Sequence, residues 1–266
     1  MKIGFLGAGK MAEAIIAALV ERRVVKACDV FAADIASARR RSLKRRLGIN
    51  TSAVNAEIVG NCSVLVLAVK PQHLAEVVAE IAPRLTRRHL LISIAAGVTT
   101  ADLESWAPGA RVVRVMPNLA CTVGRSMSVY TCGAHAKASD RKTAARLFAS
   151  CGEVVELAEK HFDAVTALSG SGPAFFAYVA DRLAAAAIAE GLDADVALLL
   201  AEQTMLGTAD LLIQTGTKPA DLIAAVSSAK GTTAEGMKVL KGSDVSRVMR
   251  DTIRAAARRS RELSGR

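Results

Sequence analysis

Short apolar runs recur through the first 160 residues, and segments with the length and spacing of helices separate most of them. Strands are predicted at Lys2–Leu6, Asp29–Ala33, Val64–Val69, Leu90–Ala95, Val112–Met116, Met127–Thr131 and Val154–Leu157. Helices are predicted between them, notably at Met11–Val20, His73–Leu85 and Ser139–Ser150. This alternation is typical of an α/β protein, and it predicts a doubly wound sheet over residues 1–160.

The pattern changes after His161, where strand-like runs give way to long helices rich in alanine and leucine. One helix is predicted to begin around Ser169–Pro173 and to continue to Glu190, before Gly191. It is apolar on nearly every side, which favours burial between subunits. We therefore assign residues 161–266 to an all-α domain that carries contacts between subunits.

A glycine-containing turn, Gly7-Ala8-Gly9, joins the first predicted strand to the first predicted helix. In a Rossmann-type dinucleotide fold, the first glycine permits the tight turn and the second lets the backbone approach a pyrophosphate. The third position needs only a small residue, and here it is Ala12. The free N–H groups at a helix N-terminus favour phosphate. The strand, turn and helix together predict a cofactor loop.

The end of the second predicted strand bears on the choice of cofactor. An acidic residue there can hold the ribose of NAD, and Asp34 occupies that place, although aspartate is also a common helix cap. Arginine there can instead accept the 2′-phosphate of NADP, and Arg39 and Arg40 follow. We expect NADPH, with NADH possible.

The amino-acid composition indicates which class of protein this is. Hydrophobic residues make up 52% of the chain and aromatic residues 3%, which suits closely packed helices and buried strands. The five cysteines are scattered without a C-x-x-C pair, so we expect a cytoplasmic protein with no disulfide framework and no metal site. No uncharged run is long enough for a membrane span, so no membrane partner is expected.

The net charge of +10 raises the question of a nucleic-acid partner, because six basic residues crowd into Arg39–Arg46. That segment has no interleaved aromatic residues, and we expect no nucleic acid to bind. Filter binding at physiological salt would distinguish a nucleic-acid module from an enzyme.

A serine- and threonine-rich segment precedes a predicted helix in the second domain. Thr232 and Glu235 have the spacing of a capping box, which by itself predicts only a well-capped helix.

Seven motifs taken together resemble the Δ1-pyrroline-5-carboxylate reductases, and the likeness extends over essentially the whole chain. They are FLGAGKMAEAI, LAVKPQ, SIAAGV, RVMPN, ALSGSGPAF, SSAKGTTAEG and VMRDTIRAAARRSREL. The resemblance implies an oxidoreductase of proline biosynthesis that reduces the cyclic imine 1-pyrroline-5-carboxylate to L-proline with NAD(P)H, as a homodimer or higher homo-oligomer. Dehydrogenases of other small acids share the architecture, but they place a lysine on the central helix, and Pro173–Glu190 contains none.

The resemblance also implies which residues form the sites. With Asp34 and Arg39, the cofactor-binding residues are Leu6, Gly7, Ala8, Gly9, Lys10, Met11, Asn55, Ala68, Val69, Lys70 and Pro71. The substrate-binding residues are Ser228, Gly231, Thr232 and Thr233, and the Thr233 hydroxyl is the candidate donor to the ring nitrogen. The chain departs from the family pattern at Leu119-Ala120-Cys121 and at Lys230, which stands where a glycine is usual.

Overall fold

A computed structural model describes residues 1–265. The chain divides into two compact units, Met1–Ser171 with the residues from Ala256 onward, and Gly172–Ala255.

The first unit is built on one eight-stranded sheet. Its strands are β1 (Ile3–Leu6), β2 (Val30–Ala33), β3 (Asn50–Ser52), β4 (Val64–Leu67), β5 (Leu90–Ser93), β6 (Arg111–Met116), β7 (Ser126–Cys132) and β8 (Gly152–Glu156). Their order is β3-β2-β1-β4-β5-β6-β7-β8. This confirms the predicted doubly wound sheet.

Helices lie between most of these strands. They are α1 (Lys10–Glu21), α2 (Ser37–Leu47), α3 (Asn55–Asn61), α4 (Pro71–Ile81), α5 (Thr100–Trp106) and α6 (Ala138–Phe148), and the short α7 (Phe162–Val165) follows β8. Two apolar clusters flank the sheet, and β1 contributes Ile3 and Phe5 to one and Leu6 to the other. β1, β4 and β5 are buried along their whole length, as parallel strands covered on both faces require.

The sheet contains one reversal that the sequence analysis did not predict. β7 is antiparallel to β6, with Val115 opposite Tyr130, whereas every other pairing is parallel. The nine residues between Met116 and Ser126 are too few for the crossover that a parallel strand needs. β3 and α3 were also missed, because both are short.

The second unit is helical. Its helices are α8 (Gly172–Ala189), α9 (Ala194–Thr215), α10 (Pro219–Val226) and α11 (Thr232–Gly242), and α12 (Val245–Leu263) begins in this unit and ends in the first. Of α8, only Gly172, Ala180 and Ala184 are buried within the chain, so the burial expected for this helix is not supplied by the subunit itself.

One described helix, α9, is long and apolar enough to cross a membrane by length and composition alone. Its best window has a mean hydropathy of 1.5, and only 6% of that window is buried within the chain. Such a helix by itself is weak evidence of a membrane span, and an uncovered subunit interface has the same character.

Candidate functional site: the carboxyl edge of the sheet and the α10–α11 loop

The turn after β1 holds the backbone close to the carboxyl ends of the neighbouring strands. Gly7 has φ +97°, and a Cβ there would lie 2.8 Å from the Ala68 carbonyl carbon. The Gly7 N–H donates to the Ala33 carbonyl at 2.9 Å, and the Ala68 N–H donates to the Leu6 carbonyl at 2.8 Å. Only glycine fits between these strand ends, because both the left-handed conformation and the close approach exclude a side chain.

Gly9 leaves the start of α1 open. It is the N-cap of α1, and no side chain caps the helix there. A Cβ on Gly9 would have a single neighbour within 4 Å, the Arg39 guanidinium at 3.9 Å. Unpaired N–H groups beside a cation fit a bound pyrophosphate or phosphate, so these residues suit a dinucleotide. Lys10 and Met11 form the first positions of the helix.

Asp34 joins the end of β2 to the glycine turn. Its carboxylate accepts a hydrogen bond from the Ala8 N–H at 2.9 Å and another from the Ala36 N–H at 2.8 Å. The N-cap of α2 is Ala36, so Asp34 is not the cap residue of this helix.

The two arginines after β2 differ in how far hydrogen bonds already hold their side chains in place. The Arg40 guanidinium donates to the carbonyls of Asp34, at 2.6 Å, and of Ile35, at 3.0 Å. Arg39 has a side chain that is 60% exposed, and its nearest ionic partner is Asp34 at 3.7 Å. Arg39 is therefore the one positioned to turn toward a ligand.

The structure also places the other predicted cofactor residues at helix starts or strand ends. Asn55 is the first residue of α3, and its amide donates to Glu80 of α4 at 2.7 Å. Ala68 and Val69 follow β4, Lys70 is the N-cap of α4 and Pro71 is its first residue. The sequence analysis missed Ile35, an apolar side chain that is 94% exposed beside this edge. An isoleucine directly after Asp34, between the strand end and the basic helix, was the available signal.

The Asn118 amide connects the exit of β6 to a π-helical turn at Thr166–Gly170. Its Nδ2 donates to the Ser169 carbonyl at 3.2 Å. The divergent Leu119-Ala120-Cys121 lies in the following 3-10 helix, where Cys121 is buried and Leu119 is exposed.

The predicted capping box in the second unit is wrong. The N-cap of α11 is Gly231, Thr232 is the first helical residue, and Glu235 pairs with Lys238 at 2.7 Å instead of reaching back. No side chain caps α11, so its first N–H groups have no partner within the helix.

A tight turn leads into α11. The Gly231 N–H donates to the Ser228 carbonyl at 3.0 Å, and Lys230 between them has φ +61°. The hydroxyl-bearing residues Ser228, Thr232 and Thr233 are all exposed. The loop thus presents hydroxyl and amide donors together at one helix start. Within residues 1–265, no group of three or more histidine, cysteine, aspartate or glutamate side chains could hold a metal ion.

Comparisons with known proteins decide the family. A pyrroline-5-carboxylate reductase from Glycine max is 40% identical over 262 residues, covering 98% of this chain and 96% of the relative. The chain belongs to the pyrroline-5-carboxylate reductase family. It is therefore an oxidoreductase that uses NAD(P)H to reduce 1-pyrroline-5-carboxylate to L-proline.

Family models and solved structures agree with this membership. Residues 159–263 match the pyrroline-5-carboxylate reductase dimerisation model, and residues 2–97 match the NADP oxidoreductase coenzyme F420-dependent model. The Coxiella burnetii pyrroline-5-carboxylate reductase has a TM-score of 0.94 at 31% identity, covering 99% of this chain and 98% of that one. The Plasmodium falciparum pyrroline carboxylate reductase, solved with NADP bound, has a TM-score of 0.89 at 28% identity and the same coverage.

Proposed function

We propose that NADPH binds along the carboxyl edge of the sheet and that the loop before α11 binds the substrate. The observation that supports the cofactor site best is the uncapped start of α1 at Gly9, with the Arg39 guanidinium beside it. The proposed cofactor-binding residues are Leu6–Met11, Asp34, Arg39, Asn55 and Ala68–Pro71.

In this proposal Arg39, and not Arg40, donates hydrogen bonds to the 2′-phosphate, because Arg40 already donates to two backbone carbonyls. Asp34 holds the glycine turn in place through the Ala8 N–H. The exposed Ile35 side chain offers an apolar surface for the adenine. Charge-assisted bonds from Arg39 favour NADPH over NADH.

The substrate carboxylate is placed at the start of α11. The N–H groups of Thr232 and Thr233 and the positive end of the helix dipole favour an anion there, and the Ser228 hydroxyl adds another donor. Gly231 carries no side chain that would cover this helix start.

The reaction requires few catalytic groups from the protein. When bound, the nicotinamide supplies the hydride that reduces the imine carbon. Thr233 donates a hydrogen bond from its hydroxyl to the lone pair of the neutral imine nitrogen, and in the protonated iminium form the nitrogen N–H donates to the Thr233 hydroxyl oxygen instead. The remaining work is to hold the imine in reach and to exclude water.

At the level of the whole chain, we propose that residues 1–160 bind the dinucleotide and that 161–266 carry the substrate loop and the dimer contacts. The enzyme works in the cytoplasm as a homodimer or a higher homo-oligomer, without a nucleic-acid or membrane partner. Cell fractionation tests the compartment, and recovery in the membrane fraction would contradict it.

Arg39→Glu tests the cofactor site. Loss of charge-assisted bonds to the 2′-phosphate should weaken NADPH binding by about 1–3 kcal/mol, while NADH binding stays within roughly twofold. Fluorescence titration of both nucleotides measures this. Arg41→Glu is the matched control, since Arg41 is exposed on the same helix and should change neither affinity. An equal loss of NADPH and NADH binding would place the 2′-phosphate elsewhere.

A further inference from the structure

A fully buried arginine lies in the sheet beside the proposed site. Arg114 of β6 is 0% exposed, and its Nη1 donates to Glu159 at 2.9 Å. Its guanidinium carbon lies 4.6 Å from the centre of the Phe162 ring. Within residues 1–265, the Nε and Nη2 atoms of Arg114 have no hydrogen-bond acceptor.

Glu159 connects Arg114 to a second element. The Glu159 carboxylate accepts a hydrogen bond from the Thr100 N–H at 2.8 Å and one from the Thr100 hydroxyl. Thr100 is the first residue of α5, and Glu159 begins the 3-10 helix that follows β8. One ion pair therefore joins β6, the start of α5 and the chain after β8.

This ion pair lies beside two of the segments that leave the carboxyl edge. Arg114 is paired in register with Ser93, the last residue of β5. The connection from β5 to α5, residues 94–99, leaves the sheet at Ser93 and ends at Thr100, so both of its ends are tied to the pair. β6 itself leaves the sheet at Met116, two positions beyond Arg114.

Stability does not account for this arrangement. Arg114 is fully buried and the Glu159 side chain is 25% exposed, so the guanidinium and much of the carboxylate's surroundings are removed from water at a cost, and apolar residues of similar size in place of such an ion pair often leave stability unchanged or increase it. Two charged N–H positions without an acceptor add to that cost. A costly ion pair that holds site-forming segments points to a role in the reaction.

We infer that Arg114 and Glu159 are positioning residues, which hold the 94–99 connection and the β6 exit at the spacing that hydride transfer requires. This inference rests on the proposed binding of NADPH along the carboxyl edge of the sheet, to which the ends of β5 and β6 also belong. Neither residue needs to touch substrate or cofactor. The pair acts on the rate of the chemical step and leaves cofactor affinity unchanged.

The test is the double variant Arg114→Met/Glu159→Gln, which removes both charges and keeps a side chain that can bond Thr100. The single-turnover rate of NADPH oxidation should fall about 10-fold, and the kinetic isotope effect with 4-deuterated NADPH should rise. The Kd for NADPH should stay within twofold, and the unfolding midpoint should be unchanged or higher. The single variant Arg114→Lys keeps the positive charge opposite Glu159, so its single-turnover rate should be higher than that of the double variant.

Arg141→Met/Glu156→Gln is the matched control. This pair also has a 2.9 Å contact, but both side chains are at least 40% exposed, so no kinetic quantity should change. Wild-type single-turnover rate and isotope effect in the Arg114/Glu159 double variant would overturn the inference. So would a rate loss matched by an equal loss of NADPH affinity.

If the double variant does not fold, Glu159→Gln alone must lower the rate, and a wild-type rate in it would equally overturn the inference. If the proposed cofactor site is wrong instead, Arg39→Glu will leave the affinity for NADPH unchanged. The two failures can therefore be told apart.

Discussion

At the residue scale, Thr233 is the side chain on which the proposed chemistry depends most. Thr233→Val keeps the shape and removes the hydroxyl. If that hydrogen bond is stronger in the transition state than in the ground state, kcat should fall by about 10- to 100-fold, corresponding to about 1.4–2.7 kcal/mol. Steady-state kinetics with pyrroline-5-carboxylate measure this.

NADPH affinity in Thr233→Val should remain near wild type, because no proposed cofactor contact involves this residue. Thr233→Ser is the control, since it retains the hydroxyl and should keep much of the activity. Wild-type turnover in the valine variant would remove Thr233 from the mechanism and leave positioning as the source of rate.

Lys230 combines an unfavourable backbone conformation with a charge near the proposed carboxylate site. Its φ of +61° suits glycine, so Lys230→Gly should raise the free energy of unfolding by about 0.5–1 kcal/mol. Loss of an exposed positive charge should raise the KM for substrate by up to about 5-fold. Urea unfolding and initial rates measure the two effects.

Arg23→Gly is the control for Lys230→Gly, because Arg23 has φ +56° and lies outside the proposed substrate loop. It should give a similar gain in stability with an unchanged KM. If both variants leave KM unchanged, the Lys230 side chain plays no part in substrate binding.

At the scale of elements, the end of α12 packs against the connection between β5 and α5. Gly97 has φ +80°, and a Cβ there would lie 3.1 Å from the Leu263 carbonyl oxygen. Gly97→Ala should therefore lower the free energy of unfolding by about 1–3 kcal/mol, through backbone strain and crowding of α12. Urea denaturation monitored by circular dichroism checks this.

Gly60→Ala is the opposite case. Gly60 lies within α3, and a Cβ there would meet nothing within 4 Å, so this variant should gain about 0.5–1 kcal/mol. Equal effects in the two variants would show that crowding at Leu263 is unimportant.

At the scale of the whole molecule, the apolar surface of α8 and α9 requires a partner. Between them lies a groove of about 530 Å³ lined by side chains such as Phe176, Leu183 and Leu200. Phe176 is 60% exposed and Leu199 is 63% exposed in the single chain. An apolar surface of this kind on a chain that carries the family's dimerisation segment indicates a contact between subunits.

Leu199→Glu should therefore shift the enzyme toward monomers, because the interface would have to bury an unpaired carboxylate. Light scattering measures the mass. Ala79→Glu on the exposed face of α4 is the control and should leave the mass unchanged. A stable, fully active monomer of the unaltered chain would contradict the proposed oligomer.

The sequence by itself determined most elements of the sheet and the backbone requirements of the glycine turn. Both are local properties. Apolar runs of strand length identify buried strands, and the close approach at Gly7 follows from its place between a strand and a helix. The proposed substrate loop and its hydroxyl residues could also be identified, because SSAKGTTAEG resembles a family motif.

Tertiary structure alone decided which distant residues meet. The pairing of Arg114 with Glu159 and the choice of Gly231 instead of Thr232 as the N-cap of α11 were absent from the local sequence pattern. Each depends on contacts or backbone angles that the surrounding fold imposes. A charge in a β-strand such as β6 is expected at the surface, and it becomes buried only where another segment supplies a counter-charge, as Glu159 does from 45 residues away.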